Sequence, residues 1–179
     1  MSTKKNVFQF FALWQHEKEE TWLNQMAAEG WNLVSTTGLT YQFEHSVTEA
    51  FTYRLEYLKE SPRNMVNKPY FDFLAESGIE VVDSFRNWVY LRKPAELGPF
   101  DLYSDLDSRI EHYERIKKGY MSILGIVGVV LAINLWDYLI TGELPVSAFL
   151  IVLIGVLAWG YRSLSTTLAN LRKKRQLSE

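Results

Sequence analysis

The sequence predicts an α+β fold: a duplicated βαββ domain, related to ferredoxin-like two-layer sandwiches, followed by a two-helix transmembrane hairpin. Three observations predict it. The segment FTYRLEY at 51–57 alternates apolar and polar side chains, a helix–glycine–strand pattern recurs after 48 residues, and residues 119–161 contain no Lys or Arg. We therefore expect four parts: the duplicated domain (1–94), a linker with an amphipathic juxtamembrane helix (95–118), two membrane spans (119–162) and a basic tail (163–179).

The composition supports this division. The 179 residues carry a formal net charge of −2. Residues 1–118 carry −4 and hold 20 of the 26 aromatic residues, whereas residues 162–179 hold five basic residues and one acid. The chain has no cysteine, which excludes disulfides, a thiolate nucleophile and Cys-ligated zinc or iron–sulfur sites.

The first half of the domain reads as strand, helix and two further strands. An apolar strand is predicted at Val7–Trp14 and a helix over about 16–29, with Trp22, Leu23, Met26 and Ala27 on one face. Gly30 follows that helix, where a left-handed C-cap is expected.

The second half repeats this order. The strand at 51–57 is followed by a helix over about 67–77, with Tyr70, Phe71 and Leu74 facing inward, and by Gly78. The segment AEGWNLV at 28–34 corresponds to ESGIEVV at 76–82, and each leads through a short turn into another strand. The predicted order is therefore βαβββαββ, which we interpret as one antiparallel sheet with both helices on one face.

Two apolar segments predict membrane spans, at about 119–140 and 145–162, joined by a five-residue connector. A pair of buried helices in a soluble core is the alternative, but neither segment has the charged face of such a helix. Lys and Arg precede the first span and follow the second, which places both termini in the cytoplasm. The predicted location is the cell membrane, multi-pass, with a cytoplasmic N-terminal domain.

Side chains within and beyond the spans suggest partners. Gly128 and Ala132 are spaced for close helix packing, and Asn134 for a hydrogen bond to a neighbouring helix. A homo-oligomer or a membrane-protein partner is therefore expected. The tail residues Arg172, Lys173, Lys174 and Arg175 are expected to contact lipid headgroups. The acidic front domain argues against nucleic-acid binding.

The aromatic residues are the main candidates for a binding site. Trp14, Trp22, Trp31 and Trp88 are predicted to line an apolar pocket or docking face, with packing between sheet and helices as the alternative. We find no motif for a catalytic, cofactor or metal site. The acids Asp101, Asp105 and Asp107 are interpreted as belonging to a helix N-terminus, with a divalent-cation site as the alternative.

Several segments resemble the bacterial family named domain of unknown function 2812. They are WLNQMAAEGW (22–31), FTYRLEY (51–57), GIEVVDS (78–84), WVYLRKP (88–94), YSD (103–105) and SRIEHY (108–113). The resemblance covers residues 7–116. It implies a cytosolic domain on a membrane anchor, often encoded near PadR-like transcriptional regulators, and it supplies no catalytic or binding residues.

Three functions follow as hypotheses. The first is a non-enzymatic, membrane-anchored sensing or regulatory module whose ligand is unknown. The second is an accessory subunit of a membrane protein complex such as a transporter. The third is an enzyme acting on an apolar substrate.

Overall fold

A computed structural model describes residues 3–46, 51–103, 105–142 and 147–178. It divides the chain into two compact units, 1–105 and 106–179. The first unit has the elements β1 (Lys4–Phe8), α1 (His16–Ala28), β2 (Trp31–Thr36), β3 (Thr40–His45), β4 (Phe51–Tyr57), α2 (Lys68–Glu76), β5 (Glu80–Phe85) and β6 (Trp88–Pro94). Short 3-10 turns lie at Leu13–Gln15, Met65–Asn67 and Ala95–Leu97. The α+β class and the order βαβββαββ agree with the prediction.

The strands form two antiparallel sheets of three strands each. The first has the order β1-β3-β2 and the second the order β4-β6-β5. The prediction of one sheet with both helices on one face is therefore wrong. Alternation predicts which side chains share a face of a strand, but not where a sheet ends.

One predicted strand is also misplaced. The apolar run Val7–Trp14 is not a strand throughout, because β1 begins earlier, at Lys4, and ends at Phe8. Leu13–Gln15 forms a 3-10 turn that leads directly into α1. Within this run the Phe11 ring packs against α1, 5.5 Å from the Trp22 ring, whereas Phe8 and Phe10 are exposed.

The two halves have matching geometry at the predicted spacing of 48 residues. Both the β2–β3 and the β5–β6 ladders are interrupted by a bulge, between Leu33 and Ser35 in one and between Val81 and Asp83 in the other. Gly30 and Gly78 follow α1 and α2 with φ values of 82° and 73°, the left-handed conformation expected of helix C-caps. A ferredoxin-like origin of this repeat is not confirmed.

The two helices cover different surfaces. α2 packs on the second sheet, where Leu74 joins Val89, Leu91 and Phe100 in a buried apolar cluster. α1 contacts β2 of the first sheet and β4 of the second, and β2 also contacts β5. α1 is therefore the helix that both sheets share.

The second unit is a pair of long helices, α3 (Leu106–Thr141) and α4 (Ser147–Gln176), which contact each other. Among the residues described, α3 alone is long and apolar enough to cross a membrane, by length and composition. The predicted two-span hairpin is not confirmed. The predicted second span, 145–162, falls partly outside the described residues. The predicted connector includes residues 143–146, outside the described part of the chain.

The polar ends of α3 and α4 form ion pairs with each other. Arg172 donates to Glu114 at 2.7 Å and Arg175 to Asp107 at 3.0 Å. Nearer the apolar part, the Tyr120 hydroxyl donates to the Leu157 carbonyl at 2.7 Å. Beyond this point most apolar side chains of α3 are exposed within the chain, which is the arrangement expected of a segment that lipid or another protein covers.

At position 38, in the β2–β3 turn, both the backbone conformation and a neighbouring side chain favour glycine. Its φ is 80°, and a Cβ atom there would lie 2.4 Å from the Phe85 ring. The equivalent position in the second half is Arg86, which also has a positive φ, 54°. Since a side chain is tolerated at 86, the Phe85 ring makes glycine necessary at 38.

We predict that Gly38→Ala destabilises the first unit more than Gly78→Ala does. Both substitutions place a Cβ on a left-handed backbone, which costs about 1 kcal/mol. Gly38→Ala adds an overlap with Phe85 of about 1–3 kcal/mol, whereas at Gly78 the nearest atom is the flexible tip of Leu97 at 3.1 Å. Thermal unfolding of the full chain in detergent, followed by tryptophan fluorescence, measures both; equal losses would contradict the argument.

Candidate functional site

A buried carboxylate lies at the centre of the first unit. One oxygen of Glu19, on α1, accepts the hydroxyl of Tyr41 at 2.6 Å and that of Tyr90 at 2.7 Å. Tyr41 belongs to β3 of the first sheet and Tyr90 to β6 of the second, so a single side chain connects both sheets. Both phenols are almost fully buried.

In this buried environment the Tyr41 and Tyr90 phenols stay protonated. Burial raises the pKa of the Glu19 carboxyl, and the two phenol hydrogen bonds offset that increase in part. Burial and the repulsion of the Glu19 carboxylate raise the pKa of Tyr41 and of Tyr90 above the usual range. The two hydroxyls therefore act as donors to Glu19. This arrangement stabilises the fold by holding one oxygen of Glu19 between the two sheets.

Two further polar residues of α1 bind the outer edge of β4. The Asn24 side chain accepts from the Tyr53 N–H at 2.7 Å and donates to the Tyr53 carbonyl at 3.1 Å. Glu20 accepts from the Leu55 N–H at 2.8 Å. The edge strand of the second sheet thus has its backbone groups satisfied by helix side chains rather than by another strand.

Of the predicted tryptophans, Trp22 lies on α1, is half-buried and packs against the first sheet. Its ring centroid lies 4.9 Å from that of Tyr41 and 5.5 Å from that of Phe43, both edge-on. Trp14 is half-buried in the 3-10 turn before α1. Trp22 therefore contributes to the packing between α1 and the first sheet.

Trp88 and Trp31 belong to two other aromatic clusters. Trp88 is buried, and its ring centroid lies 5.1 Å from that of Tyr57 and 5.4 Å from that of His16. Trp31 is half-buried, with His45 at 4.9 Å and the Lys5 ammonium 5.1 Å above its ring. Three of the four tryptophans thus lie in separate clusters. A ligand site formed by all four stays a prediction.

An open apolar groove lies between α2 and β5, where the sequence analysis did not place a site. Its volume is about 580 Å³, and its lining consists of Phe71, Ala75, Gly78, Ile79, Glu80, Val81, Pro94 and Leu97. Val81 and Leu97 are 44% and 55% exposed. Glu80 is the ionisable member of this lining, and it forms an ion pair with Arg92 at 2.8 Å. The lining is therefore mainly apolar.

The repeat spacing could have indicated this groove. Four of its lining residues correspond, 48 positions earlier, to residues of α1 and β2: Leu23, Ala27, Trp31 and Leu33. Leu23 and Leu33 are fully buried, whereas their counterparts Phe71 and Val81 are partly or largely exposed. The same surface is therefore covered in one half and open in the other.

The predicted contact residues of the second unit fall into two groups. Gly128 and Ala132 are exposed on α3, and Asn134 donates to the Val130 carbonyl of its own helix at 2.7 Å. In the tail, Arg172 and Arg175 pair with acids of α3, whereas Lys173 and Lys174 are exposed. Two of the four predicted headgroup contacts thus have partners within the chain.

Metal binding finds no support in the described ranges. Within residues 3–46, 51–103, 105–142 and 147–178, no group of three or more His, Asp or Glu side chains could hold a metal ion. Asp107, one of the three clustered acids, is paired with Arg175.

We predict that Glu19→Gln changes how the stability depends on pH. The folded-state pKa of Glu19 lies above its ordinary value of 4.5. Between those two pKa values the folded state binds more protons than the unfolded state, so this residue makes the wild type lose stability as pH rises.

The unfolding temperature of the wild type minus that of Glu19→Gln should therefore fall as pH rises above 4.5. At higher pH this difference should become constant. Glu60→Gln, at an exposed carboxyl, is the control and should follow the wild type. A difference between wild type and Glu19→Gln that is independent of pH would contradict the effect of burial.

A family model described as a protein of unknown function, DUF2812, matches residues 15–124. No curated protein and no solved structure matches the chain.

Proposed function

Since the chain belongs to the DUF2812 family, whose function is unknown, we propose its function from the structure: a membrane-anchored binding module that recognises a ligand or partner in the cytosol without catalysing a reaction. The observation that carries this proposal is the open α2–β5 groove. It presents apolar surface that folding of the first unit leaves uncovered, and such surface in a small domain marks an interaction site more often than a defect.

The polar groups of the first unit support binding rather than catalysis. Glu80 at the groove is occupied by Arg92, and the buried Glu19 carboxylate is occupied by two phenols. A general base needs a free acceptor within reach of a substrate proton. The Glu19 carboxylate lies outside the groove lining, and the Glu80 carboxylate is engaged by Arg92.

A membrane anchor through α3 is the second part of the proposal. Ile126, Ile133 and Leu139 are 67%, 62% and 70% exposed within the chain, which supports burial of this segment in lipid. A second span at 145–162 and two cytoplasmic termini remain predictions from the sequence. This orientation is supported by Lys117 and Lys118, which precede the apolar segment, and by the lack of Lys and Arg between positions 119 and 161.

Groove occupancy can be measured with one fluorophore, because the chain has no native cysteine. Ala75→Cys places an environment-sensitive dye in the groove, and Ser77→Cys places the same dye on an exposed site outside the groove lining. We expect a cytosolic fraction to shift the emission of the label at 75 and not that of the label at 77. Val81→Glu should abolish the shift. If no cytosolic fraction shifts the emission of the label at position 75, the proposed binding function is contradicted.

Membrane topology has a separate test. Fused after Gly142, a reporter that works only after export should be active, and a reporter that works only in the cytoplasm should be inactive. The same reporters fused after residue 178 should give the reverse result. A cytoplasmic reporter at Gly142 would overturn the two-span arrangement.

A further inference from the structure

The repeat within the first unit shows what the α2–β5 groove is shaped to hold. Its first-half counterpart is the surface formed by α1 and β2, and the second sheet covers that surface through β4. Tyr53 and Leu55 of β4 are each 1% exposed, and the Tyr53 hydroxyl accepts from the Leu33 N–H of β2 at 3.0 Å. The occupant in the first half is thus an extended strand with an apolar side chain at every second position.

α1 holds that strand through side chains spaced four residues apart. Glu20 and Asn24 lie on one face of the helix and bind the N–H groups of Leu55 and Tyr53, and Asn24 also binds the Tyr53 carbonyl. The backbone edge of an extended chain presents such groups at every second residue.

α2 carries a comparable pair at the equivalent positions, Lys68 and Asp72. The Lys68 ammonium lies 2.8 Å from the Asp72 carboxylate, and both side chains are about 60% exposed (60% and 59%). An exposed pair of this kind contributes little to stability, so its members can exchange partners at low cost. Asp72 is then an acceptor for a backbone N–H and Lys68 a donor to a backbone carbonyl.

The charge of α2 further restricts the occupant. Asp72 and Glu76 are exposed on a helix that has Lys68 as its single basic residue, so a basic side chain on the solvent side of the occupant is favoured. The β4 strand has this pattern, with Arg54 between Tyr53 and Leu55. Strand β1 of a second copy does not fit the groove. When β1 and β4 are aligned through their pairing with β3 and β6, the polar residues Lys4 and Asn6 take the positions of Tyr53 and Leu55.

We propose that the α2–β5 groove binds an extended segment of a partner protein, with apolar side chains at alternate positions, a basic residue between them and its backbone held by Lys68 and Asp72. This inference rests on the proposed binding function of the same groove, and it adds the class of ligand.

The test uses the full chain in lipid nanodiscs, with the dye on Ala75→Cys. The probe is a capped peptide with the β4 sequence, FTYRLEY, and the control peptide has the same composition with its apolar residues contiguous. We expect saturable binding of the alternating peptide and at least about tenfold weaker binding of the control. Equal affinities for the two peptides would overturn the proposal.

Matched variants locate the binding. Val81→Glu, on the groove floor, should weaken peptide binding at least about tenfold, and Leu97→Asp provides a second groove variant if the first fails to fold. Val66→Glu changes an apolar residue that is 66% exposed outside the groove lining and should have no effect. Asp72→Ala should weaken binding and Glu76→Ala should weaken it less. Peptide binding that survives both groove variants would overturn the proposal.

Two outcomes separate this inference from the function on which it rests. If a cytosolic fraction shifts the Ala75 label but the peptide does not, the groove binds a ligand of another class and the strand proposal fails alone. If the label responds to protein concentration without peptide, a second copy occupies the groove and the partner proposal is overturned.

Discussion

The first unit depends on the polar face of one helix. Glu19, Glu20 and Asn24 lie on α1 where it meets the second sheet, and each satisfies groups that would otherwise be buried without hydrogen bonds. An unsatisfied buried donor or acceptor costs about 1–3 kcal/mol. α1 can therefore pack against both sheets only with polar residues on this face, while β2 and β5 also contact each other directly.

The local features of this fold can be predicted from the sequence because they depend on periodicity. The strand at 51–57, the helix ends at Gly30 and Gly78 and the repeat at 48 residues each follow from short patterns. The division into two sheets cannot be predicted in this way, since alternation does not specify strand partners. The same limitation hid the role of Glu20 and Asn24, which in the sequence resemble solvent-exposed residues of an acidic helix.

The candidate site illustrates a second limitation. Aromatic composition directed attention to tryptophans, yet Trp22 and Trp88 are packed against other rings. The groove consists mainly of aliphatic and small residues that no motif distinguishes. Its recognition depends on a comparison between halves, because Phe71 and Val81 differ from Leu23 and Leu33 in what covers them rather than in their chemistry.

The bond between Glu19 and Tyr90 joins residues that are 71 positions apart in the chain. During synthesis, α1 emerges from the ribosome long before the second sheet that completes its environment. The first half therefore cannot reach its final packing alone, in contrast to the modules of solenoid proteins, which add one at a time. Folding of this unit should be slow relative to its size and cooperative across both halves, as expected when long-range contacts dominate.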